Sequence, residues 1–182
     1  MEYNEYGAAL AGAFEQNGIG DLLNEDKAKK LYIFSKILIE TNKSFNLTAI
    51  TDENDIILKH FVDCAAASEY IPIGSSLIDV GCGAGFPSIP LAILREDIRV
   101  TSLDSTSKKI SFISSVAKEL GLSNISAICH RAEEYAADNR EEYDVCISRA
   151  VARLNVLDEL CIPFVKKNGL FIAMKSSKGE EE

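Results

Sequence analysis

Asp79 and three glycines at alternate positions, Gly81, Gly83 and Gly85, close a short apolar run, and Phe86-Pro87 then leads into a helical pattern. Glycines so placed let the chain take positive φ and let a ligand lie against backbone that any Cβ would screen. A plain turn has no need of three of them, which only cost chain entropy. The register argues against a dinucleotide, because a G-x-G-x-x-G counted from Gly81 needs its third glycine at 86, where the chain has phenylalanine. In an open α/β sheet, ligands bind beyond the carboxyl ends of the strands. The residues that follow each apolar run are chemically coherent in that light: Gly81 to Phe86, then Asp104-Ser105, then Arg131-Ala132-Glu133, then Ser148-Arg149.

Asp104 stands 19 residues beyond Gly85, the spacing at which an acidic side chain accepts hydrogen bonds from both ribose hydroxyls of an adenosine group. The plainer role, an acid at a helix start, fits its type but not its strand-end position. Ala132 and Glu133 can offer a backbone N–H and a carboxylate to an adenine edge, although first-turn helix electrostatics explains Glu133 equally well. Arg149, at the end of a strand facing the glycine turn, is placed to meet a ligand carboxylate or the substrate; a structural ion pair is its alternative. His60 and Asp63 lie at i and i+3 on a helical pattern and can line the cleft, though each singly also fits a packing or surface role. Cys82 is read as a small residue that the turn accommodates rather than as a nucleophile. Two isolated histidines make no metal site.

The elements that must hold these residues follow from periodicity. Residues 1–70 read as a helical extension, with Ala28, Leu31, Tyr32, Phe34, Leu38 and Ile39 forming the apolar face of a helix over 27–40. A second helix is expected from about 55 to 70, carrying Ile57, Phe61, Cys64 and Ala65. From residue 71 a second unit alternates strands at 76–80, 98–103, 125–130, 143–148 and 169–175 with amphipathic helices, the signature of a doubly wound, mainly parallel sheet, whose usual strand order would be 3-2-1-4-5. Ser107 is the expected N-cap of one helix and Gly121 its stop; Leu154, Leu157, Leu160, Cys161 and Phe164 form the face of a later one. Pro87 and Pro90 fit a helix only in its first turn.

Composition bounds the reading. The chain has 182 residues, 47% of them hydrophobic, enough for one main domain with a buried core. No run reaches the roughly 18 uncharged apolar residues of a membrane span, and the start lacks the charged and apolar regions of a signal peptide, so the expected location is the cytoplasm. The five cysteines are odd in number and form no C-x-x-C, which argues for neither disulfides nor zinc. The two on expected strands, Cys129 and Cys146, read as small hydrophobes. A net charge of -9 argues against indiscriminate nucleic-acid binding. Lys27, Lys29, Lys30, Lys36 and Lys43 nevertheless interleave with an apolar face: a solvated helix face is the default reading of such a run, and the expectation is that they contribute nucleic-acid affinity more than stability.

The acidic-x-Gly-x-Gly-x-Gly pattern is similar to that of S-adenosylmethionine-dependent methyltransferases. With Phe45-Asn46-Leu47-Thr48-Ala49-Ile50, His60-Phe61-Val62-Asp63, the Gly85-Phe86-Pro87 ending, Leu103-Asp104-Ser105, Arg131-Ala132-Glu133-Glu134 and Ser148-Arg149-Ala150, the chain closely resembles the ribosomal small-subunit methyltransferase G family, also called glucose-inhibited division protein B. The resemblance implies a Rossmann-like class I methyltransferase fold and S-adenosylmethionine as methyl donor. It implies N7 of a guanosine in 16S ribosomal RNA, or the 30S particle, as the target. It places cofactor contacts on Gly81, Gly83, Gly85, Phe86, Asp104, Ser105, Ala132, Glu133 and Arg149, with Arg149 and His60 as candidates for positioning substrate. No catalytic dyad is required, since N7 carries an exposed lone pair. Departures from the family pattern are Cys82, Ser88 and Lys175-Ser176-Ser177. Family members continue for further strands beside 170–174, so that edge is expected to be uncovered, making an otherwise monomeric chain prone to self-association. Two rival readings stay open: a methyltransferase for a small molecule or protein, distinguished by RNA-independent transfer, and a truncated, non-catalytic fragment that binds cofactor or RNA.

Overall fold

The computed structural model describes residues 1–149 and 153–174; Ala150 of the Ser-Arg-Ala motif and Lys175 of the expected last strand lie outside them. Five parallel strands, β1 (Ser76–Val80), β2 (Arg99–Asp104), β3 (Ile125–Cys129), β4 (Tyr143–Arg149) and β5 (Val165–Met174), stand in the order β3-β2-β1-β4-β5. This is the usual order expected for a doubly wound sheet of this kind. Leu77, Val100, Val145 and Ile147 turn to one face with Leu91 and Ala92, whereas Ile78, Val80, Leu103 and Cys146 turn to the other with Leu157, Cys161 and Phe164. Two-residue alternation thus supplies both covered faces of a doubly wound sheet.

β5 begins earlier than the predicted 169. Its register against β4 jumps from Tyr143↔Val165 to Val145↔Leu170, so the Asn168-Gly169 turn lies inside a bulge. A Cβ on Gly169 would stand 2.7 Å from the Asp144 carbonyl oxygen, which is why the bulge needs glycine there. Cys129 is exposed because β3 is an edge strand, so only Cys146 of the two strand cysteines behaves as a buried hydrophobe.

The amino-terminal residues form α1 (Tyr3–Gln16) and α2 (Glu25–Asn42), the latter capped by the Asn24 side chain, which accepts the Lys27 N–H at 2.9 Å. A continuous helical stretch follows: α3 (Glu53–Ile56), a π-helical turn (Ile57–Val62), α4 (Asp63–Ala66) and a 3₁₀ turn (Ala67–Tyr70). Its extent matches the expected second helix. The π turn does not follow from the sequence; it re-aims the chain so that Ile57, His60, Phe61 and Cys64 are all buried. On the sheet lie α5 (Ser88–Leu94), α6 (Ser107–Glu119), α7 (Ala132–Asp138) and α8 (Leu154–Cys161). Thr106, not Ser107, takes the cap position of α6, and Gly121 (φ 64°) ends it as expected. Leu154, placed on the buried face of α8 by its spacing, is exposed.

The lysines of α2, with Lys43 at its C-cap, are largely engaged within the chain. Lys27 Nζ donates to the Leu94 carbonyl at 2.8 Å, satisfying the end of α5, and Lys36 Nζ donates to Glu53 at 2.7 Å and to the Met1 carbonyl at 3.0 Å. The hydrogen bond to Glu53 raises the Lys36 pKa. Lys30 and Lys43 pair with Asp26 and Glu40, leaving Lys29 alone of the five without a hydrogen bond or ion pair among the described residues. Substituting Lys27 or Lys36 by glutamine should therefore cost about 1 kcal/mol of stability each in urea unfolding. Lys29→Gln, by contrast, should leave stability unchanged.

Candidate functional site

The turn after β1 is fastened by backbone. The N–H groups of Gly81 and Cys82 donate to the Leu103 carbonyl at 2.8 and 3.1 Å, and those of Gly85 and Phe86 donate to the Cys82 carbonyl at 2.8 and 3.1 Å. All three glycines have positive φ: 74° at Gly81, 56° at Gly83 and 88° at Gly85. Their surroundings separate their roles. Around a Cβ at Gly83 only the Gly81 carbonyl oxygen comes within 4 Å, at 3.9 Å, so this is bare backbone facing open space. A Cβ at Gly85 would meet Ile89 Cδ1 at 2.4 Å, so that glycine serves the packing of α5 against the turn.

Gly81, Gly83, Asp104, Ser105, Ala132, Glu133 and Arg149 line one cleft of about 500 Å³, together with Lys109 and His130. Seven of the nine expected contact residues are thus brought together from the ends of four strands. Gly85 and Phe86 are not: Gly85 is against Ile89, and Phe86 is buried among Phe34, Phe61 and His60. The reason is that the turn reverses at Gly85, so the residues after it point back into the helical core.

Asp104 is buried and already hydrogen-bonded. Its Oδ1 accepts the Thr106 N–H at 2.9 Å; its Oδ2 accepts the Gly83 N–H at 3.1 Å and Lys109 Nζ at 3.3 Å. A carboxylate has about four acceptor directions, so a diol arriving here takes the remaining one and displaces Lys109 from another. Asp79 lies beneath the turn, fully buried, where Oδ2 accepts the Ser88 N–H at 3.1 Å at the start of α5. Its Oδ1 has no partner among the described residues, and burial pushes its pKa up to about 7. In the sequence Asp79 stands out only as the acid that opens the glycine pattern, and Lys109 carries no signal that sets it apart from other helix-surface lysines. The Cys82 thiol is buried, and burial raises its pKa far above the range of a nucleophile.

Arg149 makes no ion pair among the described residues. Its Nη1 donates to the Lys59 carbonyl at 3.2 Å, its Nη2 to His60 Nδ1 at 2.8 Å, and its guanidinium lies 5.1 Å from the centre of the Phe86 ring. His60 stacks on Phe86 with centroids 4.2 Å apart, and its Nε2 is 3.2 Å from Thr48 Oγ1. Burial, then the charge of Arg149, pushes the His60 pKa down to about 4. The ring is therefore neutral, with Nδ1 accepting from Arg149 and Nε2–H donating to Thr48. Phe86 is what the helical residues and the strand-end arginine share. Arg149 also borders a second cavity, of about 570 Å³, lined by Ile50, Lys59, His60, Asp63, Tyr70, Ile172 and Met174.

No cluster of His, Cys, Asp and Glu able to hold a metal occurs among the described residues, and no helix there is long and apolar enough to cross a membrane.

Residues 27–182 match the family described as rRNA small subunit methyltransferase G. The chain is 51% identical over 163 residues to the ribosomal RNA small subunit methyltransferase G of Clostridium botulinum, covering 87% of this chain and 68% of that one. It is 50% identical over 176 residues to the protein of the same name from Staphylococcus epidermidis, covering 95% and 73%. Among solved structures, coclaurine N-methyltransferase bound to N-methylheliamine and SAH superposes with a TM-score of 0.56 at 16% identity, over 94% of this chain and 58% of that one. Precorrin-6y C5,15-methyltransferase from Geobacter metallireducens gives 0.51 at 19% identity, over 62% and 59%. At such identities the likeness is one of fold.

Proposed function

Since this chain belongs to the rRNA small subunit methyltransferase G family, we infer that its two cavities serve methyl transfer from S-adenosylmethionine to small-subunit ribosomal RNA, with N7 of a guanosine as acceptor. The observation that carries this reading is the placement of Arg149 as a common wall: on one side the glycine turn with Asp104, on the other a cavity roofed by the amino-terminal helices.

The cleft fits the cofactor. Gly83 offers backbone that a side chain would cover, Asp104 is an acid placed for a ribose diol, and Arg149 is a cation with no carboxylate partner among the described residues. Gly81, Gly83, Asp104, Ser105, Ala132, Glu133 and Arg149 would hold it. When bound, S-adenosylmethionine would supply an electrophilic methyl that the exposed N7 lone pair can take, its positive charge then resting on the purine. No proton has to be removed, so the chain needs no general base, and His60, neutral and hydrogen-bonded at both nitrogens, is not one. Its work is to hold Arg149, which Phe86 supports from below. Rate then comes from alignment and from exclusion of water.

Incubating the protein with labelled donor and small ribosomal subunits, followed by nucleoside analysis, should give 7-methylguanosine. Labelling that does not depend on RNA would favour a small-molecule or protein substrate instead. Arg149→Met should lower the rate about 100-fold or more. Arg149→Lys should not restore it, because lysine lacks the planar fork that spans His60 and the Lys59 carbonyl while lying over Phe86.

A further inference from the structure

The second cavity holds an acid that the methyl-transfer reading leaves unused. Asp63, first residue of α4, is the one carboxylate lining it among the described residues. The Asp63 side chain is exposed to the cavity and makes no hydrogen bond or ion pair with another described residue. The nearby Asp55, by contrast, pairs with Lys59 at 2.9 Å. Ile50, Ile172 and Met174 supply apolar wall and Tyr70 an exposed ring, while Lys59 and Arg149 supply positive charge. Partial burial raises the Asp63 pKa and the charge of Arg149 opposes that rise. A volume of about 570 Å³ lies within the span of small-molecule sites, which run from roughly 300 to 1,000 Å³.

We propose that Asp63 is the specificity-determining residue for guanine, accepting hydrogen bonds from N1–H and the N2 amine of a base extruded into this cavity. The proposal rests on the reading of guanosine N7 as acceptor. Guanine alone among the RNA bases carries two adjacent donors on its pairing edge, and a carboxylate accepts both as a bidentate pair. Adenine, cytosine and uracil each present an acceptor where one of those donors would be. With that edge on Asp63, the N7 and O6 edge is left for the cleft bordered by Arg149.

The same contact favours the reaction and not only binding. Methylation at N7 makes the purine cationic, and N1–H and the amine become more acidic as that charge develops. An anionic acceptor on this edge therefore holds the transition state more tightly than the ground state. It also offsets the Arg149 guanidinium, which alone would oppose a cation forming beside it.

The test uses small-subunit RNA in which the methylated guanosine, located by nucleoside mapping, is replaced by inosine. Inosine keeps N7, O6 and N1–H but lacks the amine. The parent protein should lose roughly 10- to 100-fold in kcat/KM on the inosine RNA. Asp63→Ala should be roughly 100-fold slower on guanosine and should treat the two RNAs alike. Asp63→Asn, which keeps the shape and one acceptor, serves if the alanine variant is poorly folded, and should likewise lose most of the discrimination. Affinity for S-adenosylhomocysteine, read by titration calorimetry, should stay within about twofold of the parent in either variant, which a general loss of structure would not allow. Discrimination that persists in both variants, or is absent in the parent, would overturn the assignment while leaving guanosine methylation intact. A parent protein that forms no 7-methylguanosine on any ribosomal RNA would remove the functional reading itself, and the role of Asp63 with it.

Discussion

Gly83→Val should lower affinity for S-adenosylhomocysteine by at least about 100-fold in titration calorimetry while leaving the chain folded. Gly83 has φ 56° and its Cβ direction is open, so no neighbouring atom of the protein stands in the way of the side chain. The side chain would instead occupy the space that the adenosylated ligand would fill. Holding a β-branched residue at that φ also costs about 1–2 kcal/mol, and relaxation of the backbone would pull the Gly83 N–H away from Asp104. Gly85→Ala should behave in the opposite manner. Its Cβ would lie 2.4 Å from Ile89 Cδ1, so thermal stability should fall markedly, by about 2–3 kcal/mol. Whatever fraction stays folded should bind ligand much as the parent does. If the two variants changed places, the glycine turn would have been assigned backwards.

Asp79→Asn should become progressively more stable relative to the parent as pH rises from 4 to 8. Burial pushes the Asp79 carboxyl up to about 7 in the folded chain, against roughly 3.9 when unfolded. The folded state thus holds the proton more tightly. Its stabilising contribution is complete below about pH 4 and is lost as pH rises through 7. A shift of this size corresponds to about 4 kcal/mol at most. Asparagine does not titrate, can still accept the Ser88 N–H, and offers an amide on the side where Oδ1 has no partner. Urea unfolding of both proteins at several pH values isolates the effect, because every other titration cancels in the difference. A difference that does not change with pH would show that the carboxylate is satisfied by something else.

The sheet and the glycine turn were legible because their information is local. Two-residue alternation marks the strands, and glycine spacing marks where a ligand can approach the backbone. Asp104 and Arg149 were legible for a related reason: strand ends converge on one side of an open parallel sheet whatever the loops do. What escaped depends on reach between elements. Lys27 ends on the Leu94 carbonyl and Lys36 on Glu53, so lysines that look like a solvated or RNA-facing row turn out to tie helices together. Gly85 and Phe86 continue an unbroken motif, yet they leave the cleft because the chain reverses there. The π turn is invisible to a 3.6-residue period, and it is this turn that sets the angle of His60. Lys109 looks like an ordinary helix-surface cation until α6 brings it over Asp104.

The guanidinium of Arg149 is a wall of both cavities and is fixed to only one side of itself, by His60, the Lys59 carbonyl and Phe86. Filling either cavity must therefore alter the field and the shape that the other presents. Thermodynamic reciprocity then fixes the bookkeeping: by whatever factor the nucleoside donor changes the grip on RNA, RNA changes the grip on the donor. Spent and fresh donor differ by one positive charge, and in the reading proposed above Arg149 would border the cleft that holds it. On that reading, loss of the donor's charge on turnover would be felt on the RNA side through Arg149.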